Sequence, residues 1–182
     1  GSVYVNGIKF ETNQATVSID GVPSSENALS VGMVVTVTGS VDSDGVSGTA
    51  NEISAKTEVE GLVFENNIAT GGTTINVMGQ IVKITNDTKF KSEVTSITTI
   101  DQLIANDTVV EVSGYSDGQG NIYATYIKAL DSNEVKLHGV IQNLSGTNDN
   151  DSFTIGEING EGGITVTFNA ATTQFEDVTQ DQ

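Results

Sequence analysis

The sequence predicts an all-β protein, a tandem array of small five-stranded barrels that each carry one short helix. Three observations lead there. Leu29–Gly39 (LSVGMVVTVTG) and Ile104–Gly114 (IANDTVVEVSG) repeat one another, and each is followed by a polar turn, at Asp44-Gly45 and Asp117-Gly118. Each turn leads into a strand carrying Ala50 and Ile53, or Ala124 and Ile127, at an offset of about 75 residues throughout, and similarity at a fixed period is the mark of a repeat architecture. The remaining chain is made of short apolar–polar alternations bounded by Gly, Asn and Asp, which read as strands joined by turns.

A second match extends the repeat to the end of the chain. Glu60-Gly61-Leu62-Val63 pairs with His138-Gly139-Val140-Ile141, and Thr88-Lys89-Phe90 with Thr173-Gln174-Phe175. Three units follow: residues 1–58, lacking a first strand; residues 59–133, complete; and residues 134–182, the first half only. In the complete copy Glu60 to Glu65 is the first strand. Thr73 to Met78 and Gln80 to Thr85, hinged at Gly79, are the second and third, and Thr88 to Phe90 prolongs the third. From Thr98 to Ala105 the alternation breaks. Thr98 and Asp101 have capping-box spacing while Ile100, Leu103 and Ile104 recur at helical intervals, which predicts one or two helical turns. Thr108 to Gly114 and Asn121 to Ala129 are the last two strands. The order β-β-β-α-β-β is that of an OB-like five-stranded barrel.

Within that frame Val35, Val37, Val110 and Val112 are expected to face inward, and Val109 and Glu111 outward. Ala50 and Ile53, like Ala124 and Ile127, lie three apart, so a regular strand would send them to opposite faces; a β-bulge in the last strand of each copy brings both inward.

Gly1–Ile8, the Ala15–Gly21 strand and turn, Val31-Gly32-Met33-Val34-Val35 and the Gly45–Ile53 segment resemble a bacterial family of tandem small barrel domains of unknown function, whose members are exported or lipid-anchored. The resemblance covers all three copies and rests on Gly and aliphatic spacing. It implies a fold and an extracellular or cell-envelope location, and brings no catalytic residue with it.

Charge narrows the partners. Lys plus Arg number 7, all of them Lys, against 24 Asp plus Glu, for a formal net charge of -17. Such a surface repels phosphate backbones and anionic lipid, so nucleic acid is not an expected partner, and no apolar run is long enough for direct membrane insertion. With 36% hydrophobic and only 17% charged residues the chain holds enough apolar material to fold. Gly1 opens straight into strand-like sequence, so the leader of an exported parent is expected to lie outside this chain.

The chemical inventory is poor. Cysteine is absent, which removes disulfides, thiolate nucleophiles and Cys-ligated zinc. The one histidine, His138, shares a strand face with Lys136 and reads as solvent-facing, and neither a nucleophile elbow nor a phosphate-cradling Gly loop is present. No catalytic, cofactor-binding or metal site is assigned, and the chain is not expected to be an enzyme. Calcium is the alternative raised by Asp42-Ser43-Asp44-Gly45 and Asn148-Asp149-Asn150-Asp151, whose alternating oxygens suit a hard cation; without the distal Glu of an EF-hand loop they read as polar turns. Tyr115, Tyr123 and Tyr126 raise oligosaccharide or peptide binding, against packing at a domain junction.

The first functional expectation is therefore a structural or adhesive repeat module of an exported cell-envelope protein, with other envelope proteins or glycans as partners. The second is an oligosaccharide- or peptide-binding module with calcium-stabilised loops. Because the first copy lacks strand one and the third lacks its second half, the chain reads either as a fragment of a longer array or as a homo-oligomer that completes itself head-to-tail into a filament.

Overall fold

The computed structural model describes residues 1–117, 119, 121–132, 135–137, 140–146, 151–155, 163–169 and 171–174. Among the described residues strands make up 55%, and no helix reaches seven residues. The first unit holds β1 (Ser2–Val5), β2 (Ile8–Glu11), β3 (Thr16–Ile19), β4 (Val22–Ser24), β5 (Val35–Val41) and β6 (Ser47–Ala55), ordered β1-β2-β6-β3-β4 with β5 also on β6. The second holds β7 (Val59–Asn66), β8 (Thr74–Val77), β9 (Gln80–Lys83), β10 (Lys89–Ser92), β11 (Val109–Ser116) and β12 (Asn121–Leu130), ordered β10-β12-β11-β7-β8-β9 with a further β9–β12 pairing. The two-residue β13 (Lys136–Leu137) adds to β7, and β14 (Ile141–Ser145), β15 (Asp151–Ile155) and β16 (Ile164–Phe168) make an antiparallel meander.

The repeat is visible in local conformation. The β1–β2 and β8–β9 hairpins both turn through two residues of positive φ, Asn6 and Gly7 at 50° and 84°, Met78 and Gly79 at 49° and 81°. Such pairs form the tight turn whose twist matches that of the flanking strands. The bulge is also present twice. Thr38 and Gly39 pair with Glu52 and Ala50, leaving Asn51 unopposed; Ser113 and Gly114 pair with Tyr126 and Ala124, leaving Thr125 unopposed. Ala50, Ile53, Ala124 and Ile127 are accordingly all buried. Opposite each bulge stands a glycine for the same reason. A Cβ on Gly39 would lie 2.1 Å from the Thr49 carbonyl oxygen, and one on Gly114 2.2 Å from that of Tyr123.

All-β class and tandem repetition hold, but closed OB-like barrels with one short helix per repeat are corrected. The chain is arranged as a β-solenoid of about three turns. Its long strands explain why. β6 runs parallel to β2 over Ser47–Thr49 and to β3 over Glu52–Ala55, and β12 runs parallel to β9 over Asn121–Tyr123 and to β10 over Tyr126–Ala129. In each unit the chain therefore passes one long strand twice in the same direction. Among the described residues the first and third sheets are open, and the third is a three-stranded meander.

The expected helix is a single 3₁₀ turn at Ile100–Gln102. Gln102 Oε1 accepts from the Thr98 backbone N–H and hydroxyl, at 2.8 and 3.0 Å, and Asn66 Nδ2 donates to the carbonyls of Ile100 and Leu103. These side chains satisfy the backbone that a longer helix would have paired internally. Ile97 and Leu103 are the buried residues here, while Ile104 is exposed.

Two cores result. The larger gathers Val59, Val63, Ile75, Val77, Val82, Val110, Val112, Ile122 and Ile127; the smaller gathers Phe10, Val17, Ala50 and Ile53. Val110 and Val112 are fully buried as expected, whereas Val35 and Val37 are only half-buried. Val109, expected outward, is buried, and Glu111 is half-buried. The outward face of the second sheet does not meet solvent along its whole length, because the first unit covers part of it.

Candidate functional site

That face carries a row of ionisable side chains aligned across five strands. Period-2 alternation turns Glu60, Glu111 and Lys128 away from the core, and strand register lines them up: Lys136 opposite Glu60, Glu60 opposite Glu111, Glu111 opposite Lys128, and Lys128 opposite Lys91. One row of ionisable side chains thus crosses β13, β7, β11, β12 and β10. Lys136 Nζ lies 2.9 Å from Glu60 and 3.7 Å from Asp20, which sits in the β3–β4 turn of the first unit. Lys128 Nζ lies 2.6 Å from Glu93. Asp20 Oδ1 also accepts from the Thr57 backbone N–H at 2.8 Å, so one carboxylate ties the first unit both to the linker and to the row.

The electrostatics follow from the order of charges. Opposite charges across strands attract and like charges repel, so Glu60 beside Glu111 and Lys128 beside Lys91 are the unfavourable neighbours in the row. Burial pushes the Glu111 carboxyl above the usual range; Glu60 and Asp20 push it the same way, while Lys128 and Lys136 oppose them. The hydrogen bond from Lys128 holds Glu93 below its ordinary range, and Glu60 raises Lys136. Glu60 itself is buried, and a buried carboxylate without a cation beside it would be costly.

A second feature is the solvent-facing end of the same sheet. Tyr115 stands directly opposite Tyr123, and Tyr123 beside Lys83. Lys83 Nζ lies 4.7 Å from the Tyr123 ring centroid and donates to its hydroxyl at 3.2 Å. Both rings are exposed, giving a short aromatic–cationic platform. Tyr126 does not belong to it. It is buried, with no hydrogen-bond partner for its hydroxyl among the described residues, so of the three tyrosines it is the one packed inside.

The acidic turns are internally bonded. Asp44 Oδ1 accepts from the backbone N–H groups of Val46 and Ser47, and the Ser47 hydroxyl donates to Asp42 and to Asp44 Oδ2. Asp117 repeats the pattern with Gln119 and Asn121. Hydrogen bonding, first from Ser47 and first from Asn121, holds both carboxyls below the usual range. Among the described residues no group of three or more His, Cys, Asp or Glu is placed to hold a metal. His138, Asn148, Asp149 and Asn150 lie outside the described residues, and Asp151 opens β15.

Sequence reasoning missed the charged row. Its signal was present as Glu60, Glu111 and Lys128 at outward positions, but their alignment depends on strand register, which no single segment encodes. In the described residues no helix is long and apolar enough to cross a membrane.

No curated protein and no solved structure matches the chain. A family model described as a domain of unknown function, DUF5666, matches residues 1–54, 58–128 and 138–182. With nearly the whole length matched in three tandem segments, the chain belongs to the DUF5666 family.

Proposed function

We propose that this chain is a structural repeat module of an exported cell-envelope protein, a spacer or assembly unit that joins head-to-tail with further copies rather than a catalyst. The observation that carries the reading is tandem repetition itself, three matched segments in a solenoid-like β arrangement. Consecutive units are joined by a continuous backbone and by the Asp20–Lys136–Glu60 contacts, which is how repeat arrays transmit length and stiffness through nearest-neighbour interfaces. The acidic surface suits a protein that stays soluble at high local density. Size-exclusion chromatography with light scattering over a wide concentration range tests assembly. The expected result is a mass that rises above 19.0 kDa with concentration and falls back on deletion of residues 164–182. A constant monomer would overturn head-to-tail joining.

The Tyr115–Tyr123–Lys83 platform favours a second reading, an oligosaccharide-binding module. Flat exposed rings stack on sugar faces, so Tyr123→Ala should abolish any glycan-array signal; retention of that signal would remove the platform from the reading.

A further inference from the structure

Lysine is scarce in this chain and unevenly placed. Lys83, Lys89, Lys91 and Lys128 are four of its seven lysines, and arginine is absent. β9 and β10 both run parallel to β12, one after the other, so that Lys83 stands beside Tyr123, Lys89 beside Tyr126 and Lys91 beside Lys128. The buried Val82 and the core-packed Phe90 alternate with these lysines, which turns Lys83, Lys89 and Lys91 to the outer face. Successive positions are two or three residues of β12 apart, roughly 7–10 Å at the rise of a strand. The line begins at the exposed Tyr115–Tyr123 pair. Lys128 is held by Glu93, but among the described residues Lys83, Lys89 and Lys91 make no ion pair. The carboxylates at the two ends are engaged, Glu93 by Lys128 and Asp117 by Gln119 and Asn121, and Asp87 in the β9–β10 connection pairs with none of the three lysines. Gly32 of the first unit packs against the line: a Cβ there would lie 2.6 Å from the Thr125 carbonyl oxygen and 3.0 Å from Lys89 Cγ, yet Lys89 remains exposed.

We propose that this lysine line and the tyrosine pair at its end form one site for an acidic polysaccharide, with sugar rings on Tyr115 and Tyr123 and carboxylates on Lys83, Lys89 and Lys91. The site rests on the oligosaccharide reading above and specifies the sugar class. Charge complementarity carries it. In a chain of net charge -17, a stretch whose outward side chains are cationic and unpaired is where an anion meets a locally reversed field. Lys83 gives one of its three donors to the Tyr123 hydroxyl and keeps the others for a guest. Each exposed lysine holds one anion weakly, so a ligand that repeats its carboxylate and engages all three at once is favoured over a single small anion. Nucleic acid is the poorer occupant. Its attraction rests on phosphates displacing counterions, and three lysines without arginine displace few while the acidic remainder of the surface repels the polymer. A uronate chain keeps uncharged ring faces between its carboxylates, which is what exposed tyrosines take.

The probe is oligogalacturonate, titrated into the full 182-residue chain at low salt and followed by amide NMR, beside its fully methyl-esterified form and an oligothymidylate. The expected result is saturable binding of the acid form, with shifts at Lys83, Lys89, Lys91, Tyr115 and Tyr123, and weakening as salt is added. Lys89→Gln combined with Lys91→Gln should weaken binding roughly five- to tenfold, and should leave the melting temperature unchanged because both side chains are exposed. The charge-matched pair Lys9→Gln and Lys56→Gln should leave binding unchanged. Equal losses in the two pairs, equally tight binding of the methyl ester, or tighter binding of oligothymidylate would each overturn the proposal. A glycan array separates its failure from that of the broader reading: neutral glycans bound without acidic ones sink the acidic site alone, and a silent array sinks both.

Discussion

Gly39 and Gly114 show how one atom fixes a local fold. Each faces the unopposed residue of a bulge, and a Cβ there meets a backbone carbonyl rather than a flexible side-chain end. The contact has no easy relief. Gly114→Ala should cost about 1–3 kcal/mol in denaturant unfolding, the range for forcing an extra carbon into packed structure, and Gly39→Ala a comparable amount. Equal stability of Gly114→Ala and the parent chain would mean that the bulge adjusts. Asp44 and Asp117 act at the same scale, closing equivalent turns with one carboxylate. Both carboxyls are held below their ordinary range in the folded chain. The stability they contribute is therefore present above the unfolded carboxylate range and lost as pH falls through the folded one. Asp44→Asn should lower the melting temperature at neutral pH and flatten its acid limb; the same shift at every pH would exclude the linkage.

Whole strands inherit their energetics from what lies on both sides of them. β5 and β11 share a Val-x-Val-x-Gly pattern, yet β11 is sandwiched between β7 and β12 while β5, among the described residues, pairs with β6 alone. Val110→Ala and Val112→Ala should each cost about 1–3 kcal/mol through lost burial and cavity formation, and Val35→Ala and Val37→Ala distinctly less. Equal penalties in the two strands would show that the outer edge of β5 is covered in solution. Strand identity, the polar Gly turns and the double bulge were legible in the sequence because each is written locally, in alternation, in an Asp-Gly pair, in a three-residue spacing. The helix was not, because its end is decided by Asn66, far away in the chain. The architecture was misjudged for a related reason. Element order does not reveal how a long strand divides its length between two parallel neighbours, and Val109 was assigned outward without knowledge of what covers that face.

At the scale of the whole molecule, the charged row decides how the units hold together, and its two glutamates pull in opposite directions. Burial raises Glu111 above its unfolded range, so its contribution is greatest below the unfolded carboxylate range and is lost as pH rises through the folded one. Glu111→Gln should therefore raise stability at neutral pH and change little in acid. Glu60 is buried and held by Lys136, which reaches Asp20 of the first unit as well. Removing Lys136 leaves Glu60 buried next to Glu111 with no cation at 2.9 Å. Breaking a fully buried pair costs several kcal/mol and a surface pair almost nothing; Lys136 is itself more than half exposed, which places Lys136→Ala at roughly 1–2 kcal/mol. The loss should grow as pH rises through the Glu111 transition, because a second ionised glutamate then faces the unpaired one. Adding Glu60→Gln should restore most of the lost stability, since the double variant buries no charge on β7. Denaturant unfolding of the two single variants and the double variant at acid and neutral pH measures this coupling. Strictly additive losses would show that Lys136 is a solvated lysine and that the units are joined by their backbone and Asp20–Thr57 contacts instead.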